Sequence, residues 1–426
     1  MKKNVLVFPC GSEIGLEIYK SVSNSTHFRL YGGSSVPDHG RMVYDNYIDK
    51  LPQVDDDDFI NRINEIIGQY NIDFIFPAHD SVVLKLAQEY EKGLLNCKVV
   101  TSSALACEIA RSKRQTYETL DGVIPTPLIY NTDNEIDDNK FPLFLKPDVG
   151  QGSKGTYKAS SIEDVKFYMQ KDSTLLALEF LPGKEYTVDC FTDNSGKLLF
   201  CEGRERKRIS GGISVDSETV RDDRFSEYAS KINTTIKFNG AWFFQVKENA
   251  TGELVLMEIA TRIAGTMGLV RCKGVNLALL SLFNMLGYDL GILENNYEMS
   301  IDRALQNKYI HNIDYNHVYL DFDDTIVLDD KINLQAITFV FQCINNGIKV
   351  HLLTRHKGIL DETLINHRLS DVFDEVIWIK DDGKKSDYIK QKDAIFIDDS
   401  FAERKEVYGT LKIPVFDTHM LEGLIR

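Results

Sequence analysis

Lys146 closes a short apolar run, FPLFLKP, and a glycine-rich loop follows directly, Gly150-Gln151-Gly152-Ser153-Lys154-Gly155. A fixed cation, with backbone N–H groups that no Cβ obstructs, suits the oxygens of a phosphate chain. A second strand-like run, LLALEFLPGKEYTVDCF, carries Glu179, Glu185 and Asp189, carboxylates able to accept hydrogen bonds from ribose hydroxyls. A glycine run alone is more often a plain turn. Strand-lysine, loop and acidic strand in this order point to a nucleotide clamp. Farther on, AWFFQVKENATGELVLMEIATR (241–262) brings Gln245, Glu258 and Arg262 together, and near the C-terminus Asp321, Asp323 and Thr325 follow an apolar run as DxDxT.

These residues need strands and turns to hold them. Residues 1 to about 110 alternate strand-like and helix-like pieces, which implies a parallel sheet with helices on both faces. VLVFP runs into Gly11-Ser-Glu-Ile-Gly15, read as a tight strand-to-helix turn, since the dinucleotide pattern GxGxxG is incomplete. Phe59, Ile63, Ile66, Ile67 and Tyr70 recur at helical spacing, and FIFP follows as a buried strand. His79 and Asp80 come next, at a strand end where such sheets collect ligands, or where Asp80 caps a helix. ARSKRQTYETLDGVIPTP reads as one basic helix and a turn, with Lys113 either a phosphate contact or a solvated helix charge. Residues 241–262 read as a β-hairpin turning at Asn249–Gly252. The charged run Arg204–Arg208, ending in Ser-Gly-Gly, is either a solvated face or an anion pocket.

The clamp order resembles the ATP-grasp superfamily, in its carbamoyl-phosphate-synthase-like branch, over about the first three quarters of the chain. That resemblance implies a Rossmann-like pre-domain followed by a ligase domain. Such a domain uses ATP to convert a carboxylate to an acyl phosphate that an amine captures. It implies ATP contacts from Lys113, Lys146, Gly152, Ser153 and Gly155, an adenine hinge at Glu179, Phe180 and Leu181, and a ribose contact at Glu185. It also implies metal ligands at Gln245 and Glu258, with Mg2+ or Mn2+ as the ion, and Arg262 stabilising the transferring phosphoryl group. One position departs: Ala260 stands where relatives place a metal-binding Asn.

The last quarter resembles the haloacid dehalogenase phosphohydrolases. HVYLDFDDT, KVHLLTRH with Thr354, GKKSDYI with Lys384 or Lys385 (the latter in register), and AIFIDDS with Asp398 and Asp399 follow in family order. The resemblance implies a nucleophile at Asp321, an acid–base at Asp323, and phosphoryl contacts from Thr354 and Lys385. The metal would be held among Asp321, Asp323, Asp398 and Asp399. About thirty residues separate the first two motifs, too few for a cap domain.

At 426 residues the chain is too long for one ordinary core. The reading is an α/β and α+β multidomain protein: a Rossmann-like domain over 1–110, an ATP-grasp domain over 111–312, and a capless Rossmann-like phosphohydrolase domain over 313–426, after a polar linker. A net charge of -15 disfavours nonspecific nucleic-acid binding. No stretch is long and apolar enough to span a membrane. Seven cysteines without paired metal spacing, mostly in apolar flanks, suggest buried free thiols and a reducing cytoplasm. The expected function is a bifunctional cytoplasmic enzyme, an ADP-forming carboxylate–amine ligase joined to a phosphatase. Its partners would be a carboxylate, an amine and a phosphorylated metabolite, and the chain could pair as a homodimer. A carbamoyl-phosphate-type kinase or a nucleotide-binding regulator with a weakened ligase site are the alternatives.

Overall fold

A computed structural model describes residues 2–130 and 136–425. The chain divides into two compact units, Met1–Leu305 and Gln306–Arg426.

Unit 1 opens on a parallel sheet in the order β3-β2-β1-β4-β5, built from β1 (Lys3–Phe8), β2 (Phe28–Gly33), β3 (Tyr47–Ile48), β4 (Phe74–Pro77) and β5 (Lys98–Val99). Such apolar strands are buried on both faces because helices cover them. Helix α1 (Glu13–Val22) starts where the Ser12 hydroxyl accepts from Gly15 N–H. A Cβ on Gly15 would lie 2.4 Å from the Cys10 carbonyl oxygen, so only glycine lets this helix pack so closely on its strand. Helix α2 (Phe59–Tyr70) buries Phe59, Ile63 and Ile67, as the spacing predicts. Helix α3 (Asp80–Glu91) follows β4 at once.

The expected single basic helix is two. Ser112 ends α4 (Ala104–Arg111) in an extended conformation, and its hydroxyl caps α5 (Lys113–Leu120). Lys113 therefore stands in the first turn of a helix and is buried.

Two antiparallel sheets complete unit 1. The smaller has the order β6-β9-β7-β8, from β6 (Ile129–Tyr130), β7 (Leu143–Pro147), β8 (Tyr157–Ala159) and β9 (Leu175–Glu179). The larger runs β14-β13-β10-β11-β12-β15, from β10 (Glu185–Thr192), β11 (Leu198–Ser210), β12 (Ile213–Val220), β13 (Gly240–Glu248), β14 (Leu254–Ala260) and β15 (Ser300–Asp302). Strands β13 and β14 form the expected hairpin. One hydrophobic cluster joins Val5, Val7 and Phe76 of the first sheet to Phe191, Phe200 and Leu282, so the first sheet and the large sheet share a core.

Unit 2 is a parallel sheet, β20-β19-β16-β21-β22, formed by β16 (His317–Leu320), β19 (Lys349–Thr354), β20 (Glu375–Trp378), β21 (Ala394–Ile397) and β22 (Val415–Phe416). A small hairpin of β17 (Val327–Leu328) and β18 (Lys331–Ile332) follows β16. Its core places Val318, Leu320, Leu352 and Ile395 against the helix Leu334–Asn345. The seven cysteines are free, and five are buried; Cys201 is half-buried and Cys272 is exposed, contrary to the expectation for the whole set.

Candidate functional sites

In unit 1 the clamp residues converge. Lys146 lies in β7 and is buried, its Nζ donating to the Met257 carbonyl at 3.2 Å. Burial, reinforced by the nearby charge of Lys113, lowers its pKa to about 7, although Glu258 and Glu185 pull the other way. Burial also lowers Lys113, whose Nζ donates to the carbonyl of Asp148 at 3.1 Å.

The glycine loop sits over this pair. Gly152, Ser153 and Gly155 all have positive φ, at 62°, 53° and 70°. The turn joining β11 to β12 meets the loop so tightly that a Cβ on Gly212 would lie 2.1 Å from the Gly152 carbonyl carbon.

A cavity of about 170 Å3 runs beneath the loop between Lys113, Lys146, Phe180, Leu181, Glu185 and Glu258. All the expected nucleotide contacts line it except Gly155, which lies beside it in the loop. Glu179 also accepts from Leu128 N–H at 3.2 Å. Glu185 is already engaged. Arg206 Nη1 donates to it at 2.5 Å and to Gln245 Oε1 at 2.7 Å, while Arg206 Nη2 donates to the Gly212 carbonyl at 3.1 Å.

A second, larger chamber of about 390 Å3 shares Lys113, Gly152, Arg206, Gln245 and Glu258 with the first. Its far side is built from Glu13, Asp80, Arg204, Arg262, Thr266 and Arg303. Asp80 does not cap α3. The cap is His79, whose ring accepts from Ser81 N–H at 3.4 Å, and Asp80 instead receives Arg262 Nε at 2.6 Å and Nη2 at 2.8 Å. Burial alone would raise the Asp80 pKa, but the charge and hydrogen bonds of Arg262 outweigh it and hold the carboxyl below the usual range.

Gln245 and Glu258 are register partners on β13 and β14. One carboxylate and one amide oxygen suit a magnesium ion that arrives on nucleotide phosphates, which would fill the rest of its shell. Arg111, Glu13 and Arg303 also line the chamber, and sequence reasoning did not find them. They carry no motif and meet only through the fold.

In unit 2 the four motifs gather at the C-terminal ends of the parallel strands. Lys385 Nζ lies 2.8 Å from Asp321 Oδ1 and 2.6 Å from Asp398 Oδ2. Burial raises the Asp321 pKa to about 6, with Lys385 opposing the shift and Asp398 adding to it. The Thr354 hydroxyl accepts from His356 N–H at 3.1 Å, and the Thr325 hydroxyl from Asp399 N–H at 3.1 Å.

Among the described residues, one group of three could hold a metal ion: Asp321, Asp398 and Asp399, each offering an oxygen within 4.8 Å of the others. This hard-oxygen donor set fits magnesium. Asp323, expected with them, lies outside that group. Its half-exposed carboxylate takes His356 Nδ1 at 2.9 and 3.0 Å. His356 was missed, although its place two residues after Thr354 was visible. Arg404, whose Nη1 donates to the carbonyls of Asp398 and Asp399 at 2.5 and 2.7 Å, was missed too.

Comparison with known proteins bears on unit 1. The biotin carboxylase domain of Hydrogenobacter thermophilus 2-oxoglutarate carboxylase, solved with MgADP, ADP and bicarbonate, superposes with a TM-score of 0.60 at 15% identity, over 70% of this chain and 74% of that one. The L-amino acid ligase of Bacillus licheniformis gives 0.54 at 14% identity, over 67% and 74%. Residues 171–311 match the family described as "ATP-grasp in the biosynthetic pathway with Ter operon". Over those shares the chain has the fold of these carboxylase and ligase proteins. By sequence, the D-alanine–D-alanine ligase of Petrotoga mobilis is 26% identical over 149 residues, 34% of this chain and 48% of that protein, so the chain spans about half the length of the curated relative it matches. No helix among the described residues is long and apolar enough to cross a membrane.

Proposed function

We propose that unit 1 is an ATP-dependent, ADP-forming carboxylate–amine ligase. One observation carries this reading. The cavity under the glycine loop and the cation-lined chamber share a wall of Lys113, Gly152, Arg206, Gln245 and Glu258. The terminal phosphate of a nucleotide in the first would therefore meet a carboxylate in the second. Lys146 and Lys113 hold phosphate oxygens, the loop N–H groups cover them, and the segment Glu179–Leu181 takes the base. A carboxylate oxygen attacks the γ-phosphorus and the bond to ADP breaks. The amine nitrogen then attacks the acyl carbon, phosphate leaves with the C–O bond pair, and the nitrogen loses a proton. Arg262, fixed by Asp80, faces the charge that grows on the transferring group. Magnesium on Glu258, and on Gln245 once Arg206 releases it, would neutralise phosphate charge. The matched ligases and the ADP- and magnesium-bound carboxylase domain support the reading. In the assay, ADP release from Mg-ATP should require a carboxylate, and hydroxylamine should trap the acyl phosphate as a hydroxamate. ADP release indifferent to both would overturn the reading.

Unit 2 we read as a phosphohydrolase acting on a phosphate ester. The bridging of Asp321 and Asp398 by Lys385 supports it. Asp321 attacks phosphorus and displaces the alcohol, which Asp323 protonates. Asp323 then takes a proton from the water that releases phosphate. Thr354 and Lys385 hold the phosphoryl oxygens, and magnesium among Asp321, Asp398 and Asp399 would offset the repulsion between carboxylate and phosphate. Magnesium-dependent hydrolysis of p-nitrophenyl phosphate tests it, and no hydrolysis at any magnesium concentration would count against it.

A second reading of unit 1, a nucleotide-responsive regulator, draws on the grip of Arg206 on Glu185 and Gln245 beside Ala260. It predicts nucleotide binding without ADP release under every substrate condition.

A further inference from the structure

The larger chamber is strongly cationic in a chain of net charge -15. Seven basic side chains line it, Arg111, Lys113, Lys154, Arg204, Arg206, Arg262 and Arg303, against the carboxylates of Glu13, Asp80 and Glu258. Most of these cations have acceptors. Arg262 is taken by Asp80, Arg206 by Glu185 and Gln245, and Arg303 by Glu13 at 3.0 Å and the Ser214 carbonyl at 3.2 Å.

Arg204 differs. Its Nε donates to the Thr266 hydroxyl at 2.8 Å and its Nη1 pairs with Asp189, but among the described residues its buried Nη2 has no acceptor. The side chain is 1% exposed. A buried N–H group without an acceptor is costly, and the cost falls when a ligand supplies one. Burial above all, with Arg206 and Arg303 adding to it, pushes the guanidinium pKa down to about 9.

Position separates Arg204 from the cavity under the glycine loop. Arg204, Thr266, Arg303 and Glu13 line the chamber and not the cavity under the glycine loop. At about 390 Å3 the chamber has the size of a metabolite pocket, far more than a one-carbon acid needs.

We propose that the acid activated in unit 1 carries a second acidic group, a carboxylate or a phosphate, seated on Arg204 with Thr266 and Arg303. The reading rests on the ligase function above and adds the substrate class, a dianionic or more highly charged acid. Its reacting carboxylate points to the shared wall, and its distal anion supplies the acceptor that Arg204 Nη2 lacks.

The test uses the full chain with magnesium and a non-hydrolysable ATP analogue. Glutarate and 3-phosphoglycerate, each with a second acidic group and so at least two negative charges, serve as the dianionic probes, and butyrate and bicarbonate as the comparison, with binding read by calorimetry and thermal shift. At least one dianionic probe should bind ten times more tightly than butyrate, and which one does identifies the distal group as carboxylate or phosphate. Arg204→Gln should weaken that probe at least tenfold and butyrate less than twofold. Should Arg204→Gln strand Asp189 and fail to fold, Thr266→Val should weaken the same probe at least threefold. Dianionic probes that bind no better than butyrate, or variants that leave their affinity within twofold, overturn the proposal. ADP release with ATP and hydroxylamine, run in parallel, separates the two readings. Tight dianion binding without ADP release keeps the distal anion site and overturns the ligase reading instead.

Discussion

Lys146 illustrates how a buried cation can be tuned for an anionic ligand. Its pKa near 7 means that the empty protein holds it largely neutral at pH 8 and above. An unfolded lysine keeps its proton to about pH 10.4, so between pH 7 and that value the unfolded chain binds more protons than the folded one. Stability without ligand should therefore rise with pH across this window, by up to about 1.4 kcal/mol per unit from this group. Phosphate favours the charged form, so Mg-nucleotide binding at pH 8 should take up close to one proton. Calorimetry in two buffers of different ionisation enthalpy measures that uptake. Lys146→Ala should abolish it and cost roughly 1.5–3 kcal/mol of nucleotide affinity, about ten- to a hundredfold. Unchanged uptake in the variant would remove Lys146 from the phosphate site.

Between elements, the contacts that matter are close approaches. The β11–β12 turn touches the glycine loop at Gly212, which has φ +78°. In Gly212→Ala the new Cβ needs both a strained backbone, about 1–3 kcal/mol, and a retreat of the loop. A lower melting temperature and a weaker nucleotide Kd should appear together; a loss of stability alone would mean that the loop position does not matter for binding. The β13–β14 hairpin allows a subtler test. Ala260 is buried in the chamber wall, two residues after Glu258. Ala260→Asn adds an oxygen donor beside Glu258 and should lower the magnesium concentration that gives half-maximal ADP release. A loss of activity without that shift would show that the chamber has no room for the added donor.

At the scale of the whole molecule, the two ligand sets lie in different compact units, and each unit has its own hydrophobic core. Asp321→Asn keeps shape but removes the carboxylate proposed as nucleophile, so on that reading phosphate-ester hydrolysis should fall by on the order of a thousandfold or more. ADP release, which the proposed reading assigns to Lys146, Glu258 and Arg262 in the other unit, should persist. Parallel assays of both activities on this variant decide whether the chemistries are separable; loss of both would show one coupled site.

Periodicity and short-range order carried much of this protein. Phe59, Ile63 and Ile67 predicted a helix because burial on one face needs residues a turn apart. The hairpin of Gln245 and Glu258 was legible from its turn residues, and three of the four C-terminal motifs from apolar runs that each end in a polar group. Local chemistry misled at Ser112, where one cap splits an apparent helix in two; at Asp80 it left a ligand position and a helix cap both open, and the tertiary partner Arg262, 182 residues away, excludes the cap and leaves Asp80 in the chamber wall. The chamber was beyond any sequence window, because Glu13, Arg204 and Arg303 belong to three distant segments that only packing unites. Which N–H groups of these cations find an acceptor among the described residues, as Arg204 Nη1 does at Asp189 and Nη2 does not, depends on through-space distance. Sequence therefore determined the strands and the charged and glycine residues they carry. Tertiary structure alone decided which charges meet in the chamber and which of their polar atoms stay without a partner among the described residues.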